Sequence, residues 1–478
     1  MDLTRGDTMT AIADLSATEL LQHYRCKALS PVEVARDALA RRDRFEPMVN
    51  AFCGGDDATV LAHAQASEAR WVAGTPCGPL DGVPATVKDN IAVAGWTNFR
   101  GSAVTPRGPA TEDAPAVARL REAGAVILGK TCMPEFGWKG LGDSPATGNT
   151  RNPWNTARTP GGSSSGAVAC AALNIGCIHV GTDGAGSIRI PGAFAGVFGI
   201  KASYGRVPAA PISTMGFLAH IGPLTRTVED AALALGVIGQ PDARDMTAMT
   251  APPPDYRIGL ADGVRGLRIA WSPRLGYVKH VDADVAALAE AAAHRFAALG
   301  AHVEEADPAF TDPLEILDTL WSAGAALALQ PFSAEERGRM DPGLVRVAEQ
   351  GEAVTGARYV DAFLYGRTRI AQAMAAFHAR YDLLLTPTLA TAAFEAGRET
   401  PADGRFGDDW TAWTPFTYPF NISQQPAATV PCGLTPDGLP AGLQIVGPFG
   451  ADALVLRAAR AFEAAHPFAR LSEPRAGA

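Results

Sequence analysis

The sequence reads as an α/β protein built on a largely buried sheet. Short apolar runs of strand length recur along the chain, Ala-rich amphipathic runs of helix length lie between them, and the two kinds alternate. The 478 residues are 47% hydrophobic, which is ample for a large core.

The chain opens on helices. Ser16-Ala17-Thr18-Glu19 and Ser30-Pro31-Val32-Glu33 are capping boxes, and the second adds proline at the first helical position. The helices they start are expected to end near 22–27 and 42–45, and a third covers Asp57–Trp71. Gly82–Lys88 then reads as a short buried strand ending on a charge. Ala114–Ala123 reads as a helix and Gly124–Gly129 as the strand after it. Residues 141–166 are dense in Gly, Pro, Asn, Thr and Ser and read as loop. Ala167–Leu173 is a compact helix of small residues, and Cys177–Val180 a strand.

Ala251-Pro252-Pro253-Pro254-Asp255 is the best candidate boundary. Beyond it the pattern predicts strands at Leu267–Trp271, Ala301–Glu304, Tyr381–Thr388 and Gly442–Gly447. Helices are expected over Asp282–Leu299, most of 312–380, and Asp452–Ala465, with a frayed tail after Leu471.

Composition removes several function classes. The formal charge is −9 with no Lys/Arg run, so nucleic acid is not an expected partner. The seven cysteines are irregularly spaced without a Cys-x-x-Cys pair, which suits a reducing cytoplasm. The polar start, Met1–Asp7, does not read as a signal peptide, and no apolar run reaches the roughly 18 residues of a membrane span. No pair of histidines has metal-ligand spacing, so neither a metal nor another cofactor is expected. His179 reads as a core residue, and His220 either packs or lines a pocket.

Three features carry chemistry. Asp183-Gly184-Ala185-Gly186-Ser187 is a turn of small residues whose backbone N–H groups can converge on an anion, with a hydroxyl at its end. Taken alone, it reads first as a tight turn with Ser187 as a helix cap. Gly162-Ser163-Ser164-Ser165-Gly166 has the G-x-S-x-G spacing of a nucleophile elbow, but the segment before it is loop rather than strand. Lys88 ends an apolar run. Such lysines usually reach water, yet one held in a dry pocket loses its proton and can act as a base.

In combination these residues resemble the amidase signature family over about residues 12–468. The match runs through Val87-Lys88-Asp89-Asn90, Pro160 to Gly166, Gly181 to Pro191, Gly196 to Lys201, Gly222 to Asp230 and Gly438 to Gln444. The resemblance implies a large twisted mixed sheet covered by helices on both faces. It implies one domain: N-terminal helices at 12–71, a catalytic core at about 78–235, and a part at 256–470 that completes sheet and pocket. It also implies a Ser–cis-Ser–Lys triad, with Ser187 as nucleophile, Ser163 as bridge after a cis peptide at Gly162, and Lys88 as base. Backbone donors of Gly184, Ala185, Gly186 and Ser187 would form the oxyanion hole, supported by Asp183, Arg189, Thr182 and Ser164. Gly184-Ala185 departs from the family's usual bulkier-residue-then-glycine pair. Ser165 often corresponds to glycine, so its role is open.

The expected function is hydrolysis of a carboxamide through an acyl-enzyme, acting alone on a small molecule, with a homodimer as the default assembly. Phe136, Trp138, Phe217, Trp321 and Trp413, with Trp410, Phe416 and Tyr418, suggest a bulky apolar or aryl group, although each is equally ordinary core packing. The alternatives are the amidotransferase component, or A chain, that acts on mischarged glutamyl/aspartyl-tRNA, a catalytically dead binding protein, and a hydrolase using Ser164.

Overall fold

Ser16 and Ser30 each accept the N–H three residues on, while Glu19 and Glu33 reach back, so both capping boxes form. They open α1 (Ala17–Arg25) and α2 (Pro31–Val49) in a computed structural model that describes residues 11–477. The polar start Met1–Asp7 lies outside the described residues. Helix α2 runs past its expected stop at 42–45, through Pro47, because Phe45 and Val49 continue its buried face. It ends at Asn50 in the left-handed region.

The remaining order is β1 (Phe52–Gly54), α3 (Asp57–Ala73), β2 (Pro84–Lys88), α4 (Pro115–Glu122) and β3 (Val126–Thr131). A two-stranded ribbon, β4 (Asp143–Ser144) and β5 (Gly148–Asn149), follows in the loop-rich region. Then come α5 (Ser165–Ala172), β6 (Ile178–Asp183), α6 (Arg189–Ala195), β7 (Phe198–Lys201), β8 (His220–Thr225) and α7 (Val228–Ile238). The second half contributes β9 (Arg268–Trp271), α8 (Ala283–Ala298), β10 (His302–Glu305) and α9 (Leu314–Leu329). It adds helices at Pro342–Glu352 and Arg367–His378, then β11 (Leu383–Pro387), β12 (Ala427–Leu434), β13 (Pro440–Val446) and a helix at Asp452–Ala465.

Eleven strands form one mixed sheet in the order β1-β3-β2-β6-β8-β7-β12-β13-β11-β9-β10. The β3-β2-β6 and β11-β9-β10 groups are parallel, and the strands between pair antiparallel. Strand β12 pairs with β7, so the sheet runs unbroken across the proline-rich segment at 251–255. Strands β7, β8 and β12 were not expected from sequence. Gly222, Pro223, Pro431 and Gly433 look like breakers, yet Pro223 is tolerated opposite Val180 and a register shift absorbs Pro431/Gly433.

Helix α5 is made of small residues because it lies against backbone. A Cβ on Gly166 would stand 2.1 Å from the Ala51 carbonyl oxygen. Among the described residues no helix is long and apolar enough to cross a membrane.

Candidate active site

Strands β2 and β6 are parallel neighbours, with Val87 opposite Val180. Their C-terminal ends therefore share one edge of the sheet, where loops build ligand sites in α/β proteins. Lys88 ends β2, and Thr182-Asp183 end β6.

Lys88 is fully buried. Its Nζ donates to Ser163 Oγ at 2.7 Å, Thr182 Oγ1 at 2.8 Å and Ser164 Oγ at 3.1 Å. Burial holds its pKa well below the ordinary lysine value, and the carboxylates of Asp183 and Asp89 offset this only in part. All three partners are hydroxyls, which donate as well as accept, so an uncharged amine fits here.

Ser163 follows a cis Gly162–Ser163 peptide. Gly162 is required there, since a Cβ would lie 1.9 Å from the Leu141 carbonyl oxygen. Ser164 Oγ donates to Thr182 O at 3.1 Å and lies off the cleft, and Ser165 Oγ donates to Cys132 O at 3.1 Å. Both serines anchor the start of α5 to neighbouring backbone.

Ser187 lies in the turn between β6 and α6, and with Ser163, Thr182 and Gly184 it lines a cleft of about 1050 Å³ open to solvent. No hydrogen bond joins the Ser187 hydroxyl to Ser163 among the described residues. Nucleophile contacts are often loose before substrate binds.

Asp183 shapes the turn. Its carboxylate accepts the N–H of Gly186 at 2.8 Å and of Ile188 at 3.2 Å, and Arg189 Nε and Nη2 at 3.0 and 2.9 Å. Arg189 and these bonds hold the Asp183 pKa below the usual carboxylate range despite complete burial. The expectation for the oxyanion donors is corrected here. The Gly186 N–H is committed to Asp183, whereas the N–H groups of Gly184, Ala185 and Ser187 have no acceptor among the described residues.

Arg189 continues into the second half of the chain, donating to Thr417 O at 2.8 Å, Gln444 Oε1 at 2.8 Å and Asn421 Oδ1 at 2.6 Å. Thr417 Oγ1 donates to Ala185 O at 2.6 Å, and Asn421 Nδ2 to Asp183 O at 3.0 Å. Sequence reasoning did not single out these side chains. Gln444 closed a matching segment and was within reach, while Thr417 and Asn421 carried no local signal.

Of the expected substrate-contacting aromatics, Phe136 and Trp321 line the cleft. The Trp321 ring covers Gly184, where a Cβ would stand 2.8 Å from it, so the small residue at that position makes room for the indole. Trp138, Phe217 and Trp413 are not part of the cleft lining. Trp138 is buried against Gly343 and offers its carbonyl to Trp321 Nε1 at 3.1 Å. Phe217 packs on Tyr204, Phe363 and Arg367. Trp413 is stacked on Phe194 in the core and donates its indole N–H to Glu399 O. Their periodic apolar contexts gave no sign of which face they take.

His220 does line the cleft. Its Nδ1 bonds the Leu218 carbonyl at 2.8 Å, which makes Nδ1 the protonated nitrogen, and burial keeps the ring neutral by lowering its pKa well below the usual value. Among the described residues no group of three or more His, Cys, Asp or Glu side chains is placed to hold a metal ion.

Residues 33–456 match the amidase family. The chain belongs to the amidase signature family. It is 39% identical to an acylamidase of Rhodococcus erythropolis, over 95% of this chain and 96% of that one. It is 36% identical to the A component of the glutamyl-tRNA(Gln) amidotransferase of Myxococcus xanthus, over 97% and 99%. Among solved structures it is similar to a bacterial aryl acylamidase of this family, with TM-score 0.88 and 33% identity over 95% and 96% of the two chains. It is also similar to 6-aminohexanoate cyclic dimer hydrolase, with TM-score 0.85 and 29% identity over 96% and 98%. This family member is a hydrolase acting on C–N amide bonds.

Proposed function

We propose that this amidase cleaves small bulky or aryl amides with Ser187 as nucleophile, Ser163 as proton bridge and Lys88 as base. The observation that carries this reading is a fully buried lysine whose hydrogen bonds all go to hydroxyls. Ser187 Oγ attacks the amide carbonyl carbon, and its proton passes through Ser163 to uncharged Lys88. The oxyanion takes the free N–H groups of Gly184, Ala185 and Ser187. The C–N bond breaks as the proton returns to the leaving nitrogen, and water then releases the acid from the acyl-enzyme. Asp183, Arg189, Thr182 and Ser164 hold the turn and the lysine in place. Phe136 and Trp321 supply the apolar wall, and the similarity to an aryl acylamidase favours an aryl group. A reducing, cytoplasmic setting suits seven free cysteines, and a homodimer is the assembly we expect.

The test is labelling by a fluorophosphonate together with nitroaniline release from an uncharged alkanoyl nitroanilide. Wild type should be labelled at Ser187 and release nitroaniline, and folded Ser187→Ala should do neither. A label on another serine in Ser187→Ala would overturn the assignment. Likeness to the A component of a tRNA amidotransferase supports a second reading, and hydrolysis by the purified chain without partner proteins decides against it.

A further inference from the structure

The cleft lining combines apolar side chains, hydroxyls and neutral amide or imidazole groups with a single fully charged side chain, Arg100. None of the lining residues is acidic. Arg100 forms no ion pair and no side-chain hydrogen bond among the described residues. A guanidinium without a carboxylate on the lining of an otherwise uncharged cleft has its donor fork open to whatever enters.

The backbone that carries it is fixed to the catalytic lysine's own strand end. Asp89, next to Lys88, accepts the N–H of Phe99 at 3.0 Å and of Gly101 at 2.9 Å, on either side of Arg100. The Arg100 carbonyl accepts the N–H of Phe136, a cleft aromatic, at 2.7 Å. Arg100 itself has φ 54°, a conformation uncommon for a long side chain. Gly101 has φ 64°, and a Cβ there would stand 2.5 Å from the Met133 carbonyl oxygen. Three backbone tethers therefore hold a sparsely populated conformation that sets the arginine at a fixed place relative to Lys88 and Phe136. A side chain that merely solubilised the rim would need none of them.

We propose that Arg100 is a specificity-determining residue that binds a carboxylate carried by the substrate away from the scissile amide. The preferred substrates are then amides bearing a free carboxylate on the acyl or the amine side, with apolar spacing between that group and the reacting carbonyl. The planar guanidinium takes both carboxylate oxygens through parallel N–H bonds. This rests on the amidase function proposed above.

The test compares nitroanilides of a homologous series of ω-carboxyalkanoic acids with their uncharged ω-carboxamide counterparts, and N-alkanoyl aminobenzoates with the matching aminobenzamides. Release of the aromatic amine is read for each. At least one carboxylate member should exceed its neutral counterpart in kcat/KM by ~10-fold or more, the scale of a charge-assisted pair. Arg100→Gln should remove that preference while leaving neutral amides within about twofold. Arg100→Lys should keep part of it, and added salt should weaken it only where the charge remains. Normal hydrolysis of the neutral series with no carboxylate preference in either family overturns the assignment of Arg100 alone. An equal loss on charged and neutral substrates in folded Arg100→Gln and Arg100→Lys does the same. Failure of wild type on every compound, with no fluorophosphonate labelling, overturns the amidase mechanism first and this inference with it.

Discussion

Lys88 ends β2, and Lys130 lies one strand away on β3, opposite Val87. Both are fully buried. Lys130 Nζ donates to the carbonyls of Asp89 at 2.8 Å and Ile91 at 2.7 Å and to Asn98 Oδ1, with the Asp89 carboxylate 3.8 Å away. These groups can only accept, so they need an ammonium, and its pKa falls only to about 8. The Ser163 and Thr182 hydroxyls beside Lys88 can turn to donate, so they tolerate an amine. Burial alone does not make a lysine a working base at neutral pH. The hydrogen-bonding capacity of its partners decides which protonation state the fold accepts.

The sharpest way to break this contrast is Lys130→Met. It strands three acceptors and a buried carboxylate, and should cost about 3–5 kcal/mol of stability, read as a large fall in thermal midpoint. A fully stable variant would mean that Lys130 is not held as a cation.

Lys88→Met should act on rate instead, lowering kcat/KM by at least ~10²-fold with the fold retained. Its effect on stability has a definite sign. The folded pKa lies below the ordinary lysine value of 10.5, so the unfolded chain binds more protons, and the lysine's contribution falls as pH drops below that value. Lys88→Met should therefore gain stability relative to wild type on going from alkaline to mildly acidic pH. Equal differences at both ends would show that Lys88 is charged in the fold. In wild type, the acid limb of kcat/KM should lie well below the ordinary lysine range.

The carboxylate counterpart gives the smallest effect. Asp183 has many donors and its pKa is pushed down, whereas Glu463 is mostly buried with one backbone donor, Val228 N–H at 3.1 Å, and one half-exposed cation, Arg460 Nη1 at 3.2 Å. Its pKa is pushed up to about 7, chiefly by burial. Its stabilising contribution is complete below the unfolded value of 4.5 and is lost as pH rises through about 7. Glu463→Gln should raise stability by about 1–3 kcal/mol at mildly alkaline pH and by little at acid pH, read by thermal melting at both.

The sequence made the first half of the site legible because its parts are local. Capping boxes, the strand before Lys88 and the two glycine–serine stretches are contiguous patterns whose residue types state their geometry. Two things were not local, and one local bond was not stated by residue type. The direction an aromatic faces depends on which neighbour fills the opposite side, which is why Trp413 went to the core and Trp321 to the cleft. Strands β8 and β12 hid behind proline and glycine that only the pairing partner makes harmless. The Gly186 N–H looked free until the Asp183 carboxylate was seen to claim it.

The bonds from Arg189 to Thr417, Asn421 and Gln444 span 228, 232 and 255 residues. Because these acceptors are synthesised long after Arg189, the nucleophile's turn cannot be clamped until that later part of the chain has been made. A nascent polypeptide that has exposed Lys88, Ser163 and Ser187 still lacks the latch that sets them. The turn that carries the nucleophile thus depends on a distant part of the same chain, and a protease nick between the halves would leave amide cleavage intact only if the pieces stayed docked.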